Sequence, residues 1–74
     1  MKIEDAIKKY KGRKGTANTN IRYYLENCQD DITLAGDHAE QEIFSLQHRG
    51  TGNKHYPAMI ATYWQFVLEC GGPF

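Results

Sequence analysis

Ile3, Ala6, Ile7 and Tyr10 recur at intervals of three and four residues, one apolar stripe of an amphipathic helix, and predict a helix over residues 2–11. Its last turn is rich in lysine. Gly12 and Gly15 bracket Arg13 and Lys14 just beyond it and read as a helix stop followed by a loop. Ile21, Tyr24, Leu25 and Cys28 repeat the spacing and predict a second helix over residues 19–29. Thr19 suits its N-cap, because a hydroxyl there accepts a bond from an otherwise unpaired backbone N–H. Tyr23 is out of register with this stripe and is expected outside. Asp30 and Asp31 would oppose the dipole of that helix, so they are assigned to the following turn. Ile32, Thr33 and Leu34 read as a short extended link or a single helical turn. Asp37 and Glu40 then resemble a capping box with Asp in place of Ser or Thr. Ala39, Ile43 and Leu46, widened by Phe44, predict a third helix over residues 38–49, with His48 and Arg49 in its last turn and Gly50 as its stop.

The last third of the chain is different in kind. Met59, Ile60, Tyr63, Trp64, Phe66, Val67, Leu68 and Cys70 put apolar groups on nearly every side of a helix. Pro57 fits its first turn, and Gly71, Gly72 and Pro73 end it, so a helix over residues 57–70 is predicted. Trp64, Phe66, Leu68 and Cys70 also alternate as in a strand, but length and boundary signals favour the helix. A helix apolar all round must be surrounded, either as the hub of a bundle or in contact with another chain. The expected fold is all-α, a compact bundle of four short helices in a single domain over residues 1–74. Its predicted core is Ile3, Ile7, Tyr10, Ile21, Leu25, Ile43, Leu46, Ile60, Trp64 and Val67. An α+β arrangement with a small sheet is the alternative.

Size sharpens this picture. A chain of 74 residues has a thin core and gains from a partner or very regular packing. No apolar run is long enough for a membrane span, and the first residues lack a signal-peptide core, so a soluble cytoplasmic protein is expected. Cys28 and Cys70 are then expected as free thiols.

Charge changes the picture more. Net charge is zero, yet residues 1–24 hold seven Lys and Arg against two acids, whereas residues 25–47 hold six acids and no Lys or Arg. Segregation of this kind speaks about partners rather than fold. The acidic block, with Asp30, Asp31, Asp37 and Glu40, suits docking on a basic groove of a partner; its plainer account is a solvated face. Nine aromatic residues include more than the core can hold, so Tyr23, Tyr56 and Trp64 are candidate anchors on that partner surface. The basic block gives a second site. Lys8, Lys11, Arg13 and Lys14 followed by Asn18, Asn20 and Arg22 trace the outline of a helix-turn-helix reader, lysines on phosphates and the helix on base edges. Its plainer account is an amphipathic face and a loop.

Chemistry beyond binding finds little footing. Cys28, His38, His48, His55 and Cys70 lack the close spacing of structural zinc ligands. No nucleophile motif, phosphate-cradling loop or paired-carboxylate pattern is present. We therefore expect no cofactor, no metal and no enzymatic activity. The expected function is that of a small binding protein acting stoichiometrically on a protein partner, in the manner of a phage or mobile-element inhibitor of a host nucleic-acid machine. The alternative is a small DNA-binding transcription regulator, with nucleic acid as its partner. A homodimer that pairs the two charge blocks is a further arrangement.

Overall fold

The computed structural model describes residues 3–28, 31–49 and 52–71, and these form four helices with no strand among them. They are α1 (Ile3–Lys11), α2 (Thr16–Asn27), α3 (Ile32–Arg49) and α4 (Tyr56–Glu69). The all-α bundle is thus the fold, and the strand-like alternation near the end of the chain is a helix. The predicted stops at Gly50, Gly72 and Pro73 lie outside the described residues.

Two helices begin earlier than the apolar stripes indicate. α2 starts at Thr16, not Thr19. Gly15 precedes it with φ of 109°, a backbone conformation that side chains other than glycine's resist, so the loop turns sharply and the helix starts at once. Thr19 is not a cap; its hydroxyl donates 2.9 Å to the Gly15 carbonyl one turn back. α3 starts at Ile32, six residues before the predicted position, and of the two readings of residues 32–34 the helical one holds, as its first turn. The cap is Asp31, whose Oδ1 accepts from the Leu34 N–H at 3.1 Å, and Asp37 lies inside the helix. The predicted fourth helix holds, with Pro57 in its first turn and Gly71, at φ of 85°, just past its end.

α3 and α4 pair most extensively, α2 packs against α1, α3 and α4, and α1 reaches α4 through Tyr10 and Lys9. Tyr10 meets Phe66 edge to face, ring centroids 5.4 Å apart. Tyr10, Ile21, Leu25, Ile43, Leu46 and Val67 are buried as their periodicity predicts. Ile3, Ile7, Ile60 and Trp64 are corrections: they are half-buried and lean on the rim of the core. Tyr63 and Phe66 take the central volume instead, with Ala6, Ala17, Ala35 and Ala39 between the helices. Measured along its principal axes the molecule is 36 × 27 × 17 Å. Its thinnest dimension is less than two helix diameters, so no helix is enclosed on every side. α4 therefore touches all three other helices and still turns an apolar edge outward.

The tightest approach is between α3 and α4. Gly36 is buried in the second turn of α3, and a Cβ built on it would lie 3.0 Å from the Cβ of Cys70. Glycine is unfavourable inside a helix by about 1 kcal/mol, which makes close packing the physical reason for it here. Gly36→Val, adding branched carbon against Cys70, is expected to reduce stability by about 1–3 kcal/mol through overpacking. Urea unfolding followed by circular dichroism measures it, and an unchanged midpoint would contradict the close approach.

Candidate protein-interaction face

α3 and α4 each carry an outward row at helical spacing. Thr33, Asp37, Glu40 and Phe44 follow one another at four, three and four residues along α3. Pro57, Ala61, Trp64 and Leu68 do the same along α4. Core burial of Ala35, Ala39 and Leu46 on one helix and of Tyr63 and Phe66 on the other turns these rows away from the interior. Leu68 is 58 % exposed and Phe44 45 %, large fractions for apolar groups in so small a chain. Between the helices Thr33, Gly36, Asp37, Glu40, Val67, Cys70 and Gly71 line a cleft of about 90 Å³. Its floor exists because Gly36 carries no side chain. Phe44 lies one turn beyond Glu40, and Trp64 one turn before Val67 and Leu68, so apolar surface continues from the cleft along both helices.

The carboxylates at this cleft are uncommitted. Among the described residues the ion pairs are Lys9–Glu69 at 2.6 Å and Glu42–Arg49 at 3.4 Å, and neither Asp37 nor Glu40 takes part in one. Of the residues assigned to partner binding, Asp37 and Glu40 therefore lie on one surface with Trp64 a turn away. Asp31 is exposed but accepts the N-terminal bond of α3. Tyr23 is exposed as its register predicts and lines a separate depression on α2 with Thr19, Arg22 and Glu26. Tyr56 is half-buried against the core at the start of α4. Asp30 lies outside the described residues.

The basic set divides in two. Lys8, Lys11, Arg13 and Lys14 are exposed at the end of α1 and in the loop, with the Arg13 guanidinium 4.7 Å from the centre of the Tyr10 ring. Of the three polar residues of α2, Arg22 and Asn20 reach other helices, and Asn18 bonds locally to the preceding loop. Arg22 Nη1 donates to the carbonyls of Tyr10, Lys11 and Arg13 at 3.1, 3.2 and 2.7 Å, and Nη2 to Thr19 Oγ1 at 3.1 Å. One guanidinium thus closes the C-terminal end of α1, whose last carbonyls have no partner within the helix. Asn20 Nδ2 donates to the Tyr63 hydroxyl at 2.8 Å, and Asn18 Nδ2 to the Lys14 carbonyl at 3.0 Å. Base reading by these three side chains would require breaking bonds that hold the fold. Sequence spacing alone misses this, because the acceptors belong to other elements.

Glu69 is a second residue that periodicity leaves unassigned. Although it sits at the unfavourable end of α4, it accepts from Lys9 Nζ at 2.6 Å and from the Tyr10 hydroxyl at 3.0 Å, tying α1 to α4. Burial pushes the Tyr10 hydroxyl well above its ordinary pKa, and the bond to the Glu69 carboxylate adds to the rise. Burial also pushes Tyr24 up to about 12, with Tyr63 and Glu42 adding to it. Tyr63 rises by burial too, opposed by the bond from Asn20. Cys70, at the cleft floor, is pushed up to about 11 by burial and then by Glu69, which makes it a poor nucleophile near neutral pH. Cys28 is buried, and both thiols are free. No three His, Cys, Asp or Glu side chains converge in a metal-binding group among the described residues. Nor is any helix long and apolar enough to cross a membrane.

Comparison with protein-family models, with curated proteins and with solved structures gives no match.

Arg22→Met keeps the side-chain stem and removes the donors. It is expected to cost about 1–3 kcal/mol in urea unfolding, the range for charged hydrogen bonds at partly buried carbonyls; a change of a few tenths would show that the cap contributes little. A second expectation concerns alkaline pH. Tyrosines with raised pKa keep their protons in the folded chain while the unfolded chain releases them from about pH 10. Stability present below pH 10 is therefore lost as pH climbs towards 12. The urea midpoint should fall across that window, and fall less in Tyr24→Phe; identical profiles would remove the assignment.

Proposed function

We propose that this chain is a non-enzymatic, cytoplasmic binding protein that acts stoichiometrically on a protein partner through the α3–α4 face. One observation carries the reading: exposed Phe44 and Leu68 flank a cleft whose two carboxylates have no ion-pair partner among the described residues. Large apolar groups beside unpaired charge are the ingredients of an interface, an anchoring centre with a polar rim that sets orientation. A solvated face would explain the carboxylates alone and not the exposed Phe44 and Leu68 near them.

Within that class the chain suits an inhibitor of a nucleic-acid machine, of the kind carried by phages and mobile elements. The acidic face would occupy a basic groove that otherwise receives phosphates, and charge complementarity would speed the encounter. The regulator reading is weakened because Asn20 and Arg22, two of its three helix residues, are bonded to other helices.

Capture from cell extract with quantitative mass spectrometry tests the reading, using wild type beside Phe44→Ser/Leu68→Ser and Arg13→Glu/Lys14→Glu. One protein is expected to be enriched by wild type, reduced at least about tenfold by the first variant, as befits loss of central anchors, and retained by the second. If that protein is a nucleic-acid machine, the wild-type chain should displace DNA or RNA from it at one-to-one stoichiometry. Equal recovery with all three chains, or recovery lost only with the basic-loop variant, contradicts the α3–α4 assignment.

A further inference from the structure

We infer that the α3–α4 cleft receives a lysine or arginine side chain from a basic segment of the partner. This rests on the docking proposal and names what the docking face selects. The cleft combines two chemistries in one small volume. Its floor, Val67, Cys70 and the bare backbone of Gly36, is apolar; its wall on α3 carries Asp37 and Glu40. A long cationic side chain has the matching division, an aliphatic stem and a charged head that stays near solvent. Laid along the floor, the stem would cover Val67 and Cys70 while the head meets the carboxylates at the rim.

Three sources of negative potential meet there. Asp37 and Glu40 are the first two, both at least partly exposed and neither in an ion pair among the described residues. The third is the C-terminal end of α4, where Cys70 and Gly71 line the cleft and the helix dipole presents its negative end. The nearest carboxylate along α4, Glu69, is already held by Lys9 and Tyr10 and does not compete. A volume of about 90 Å³ admits one side chain and excludes a folded element. Partner backbone and neighbouring apolar residues would then rest on Phe44, Trp64 and Leu68. Recognition of basic segments by acidic clefts with apolar floors exploits both parts of the side chain, which a carboxylate cluster on a bare surface does not.

Amide shifts of the full ¹⁵N-labelled chain, titrated with a blocked heptapeptide carrying two lysines among alanine and leucine, test this. Controls are the same peptide with both lysines acetylated, magnesium chloride alone, and the free chain at rising concentration in sedimentation velocity. Shifts are expected at Thr33, Gly36, Asp37, Glu40 and Gly71 with the lysine peptide. Binding should be at least tenfold weaker for the acetylated peptide and for Asp37→Asn/Glu40→Gln, and should weaken with salt. Equal binding of the acetylated peptide, absence of shifts in these residues, or the same shifts with magnesium alone would overturn the inference. So would self-association of the free chain through these residues, which would make the chain's own basic loop the occupant. A partner lost by Phe44→Ser/Leu68→Ser but indifferent to Asp37→Asn/Glu40→Gln leaves the docking face standing and removes the side-chain site.

Discussion

Much of this molecule depends on how closely α3 and α4 approach. Ala35, Gly36 and Ala39 give the N-terminal half of α3 an inner surface with little side-chain relief, and Ile43 and Leu46 follow on the same face. α4 can then lie against it with Cys70 over Gly36 and Val67 beside the cleft, while Phe66 and Tyr63 reach α1 and α2. Burial of large side chains supplies the stabilisation, roughly 1.5–3 kcal/mol for each fully buried Leu, Ile or Phe. The small residues contribute geometry instead. They decide where the large ones go and leave a cleft where two helices would otherwise meet through side chains.

The same approach organises the polar parts. Close pairing of α3 and α4 sets their outer rows side by side, so Glu40 and Phe44 share a surface with Trp64 and Leu68. At the other side of the bundle α1 is fastened by two devices at its C-terminal end. Arg22 closes its carbonyls from α2, and Glu69 takes Lys9 and Tyr10 from α4. α1 and α3 have no extensive contact, so the exposed cations of Lys8, Lys11, Arg13 and Lys14 and the acids of α3 are carried by helices that do not pack closely on each other. The two charge blocks are thus carried largely by different helices, with Arg22 and Glu26 meeting on α2, and the acids of α3 adjoin the exposed Phe44.

Large periodic side chains made the four helices and half a dozen core positions legible from the chain alone, Tyr10, Ile21, Leu25, Ile43, Leu46 and Val67 among them. Alanine and glycine carry little hydropathic signal, so the part of the inner face of α3 formed by Ala35 and Gly36 went unread although Ala39, Ile43 and Leu46 marked the rest. Choosing Trp64 over Tyr63 and Phe66 for the core failed for a related reason. On a helix apolar all round, periodicity does not say which side faces in; the thin bundle decides, and it turns the Pro57–Leu68 row outward. Asn20 and Arg22 resemble part of a nucleic-acid reader in one dimension because their acceptors, the Tyr63 hydroxyl and the C-terminal end of α1, are visible only in three. The candidate face was legible in part. Asp37, Glu40 and Trp64 were singled out by charge and aromaticity, whereas the cleft between them needed the packing of Gly36 on Cys70.

The most direct test of this account is a nuclear Overhauser measurement between the α protons of Gly36 and the β protons of Cys70 in the isotope-labelled full chain. Contact of α3 and α4 at a bare glycine requires a strong cross-peak between them. Its absence, with both residues assigned and sharp, would mean that the two helices stand apart, and neither the small-residue packing nor the cleft built on it would survive.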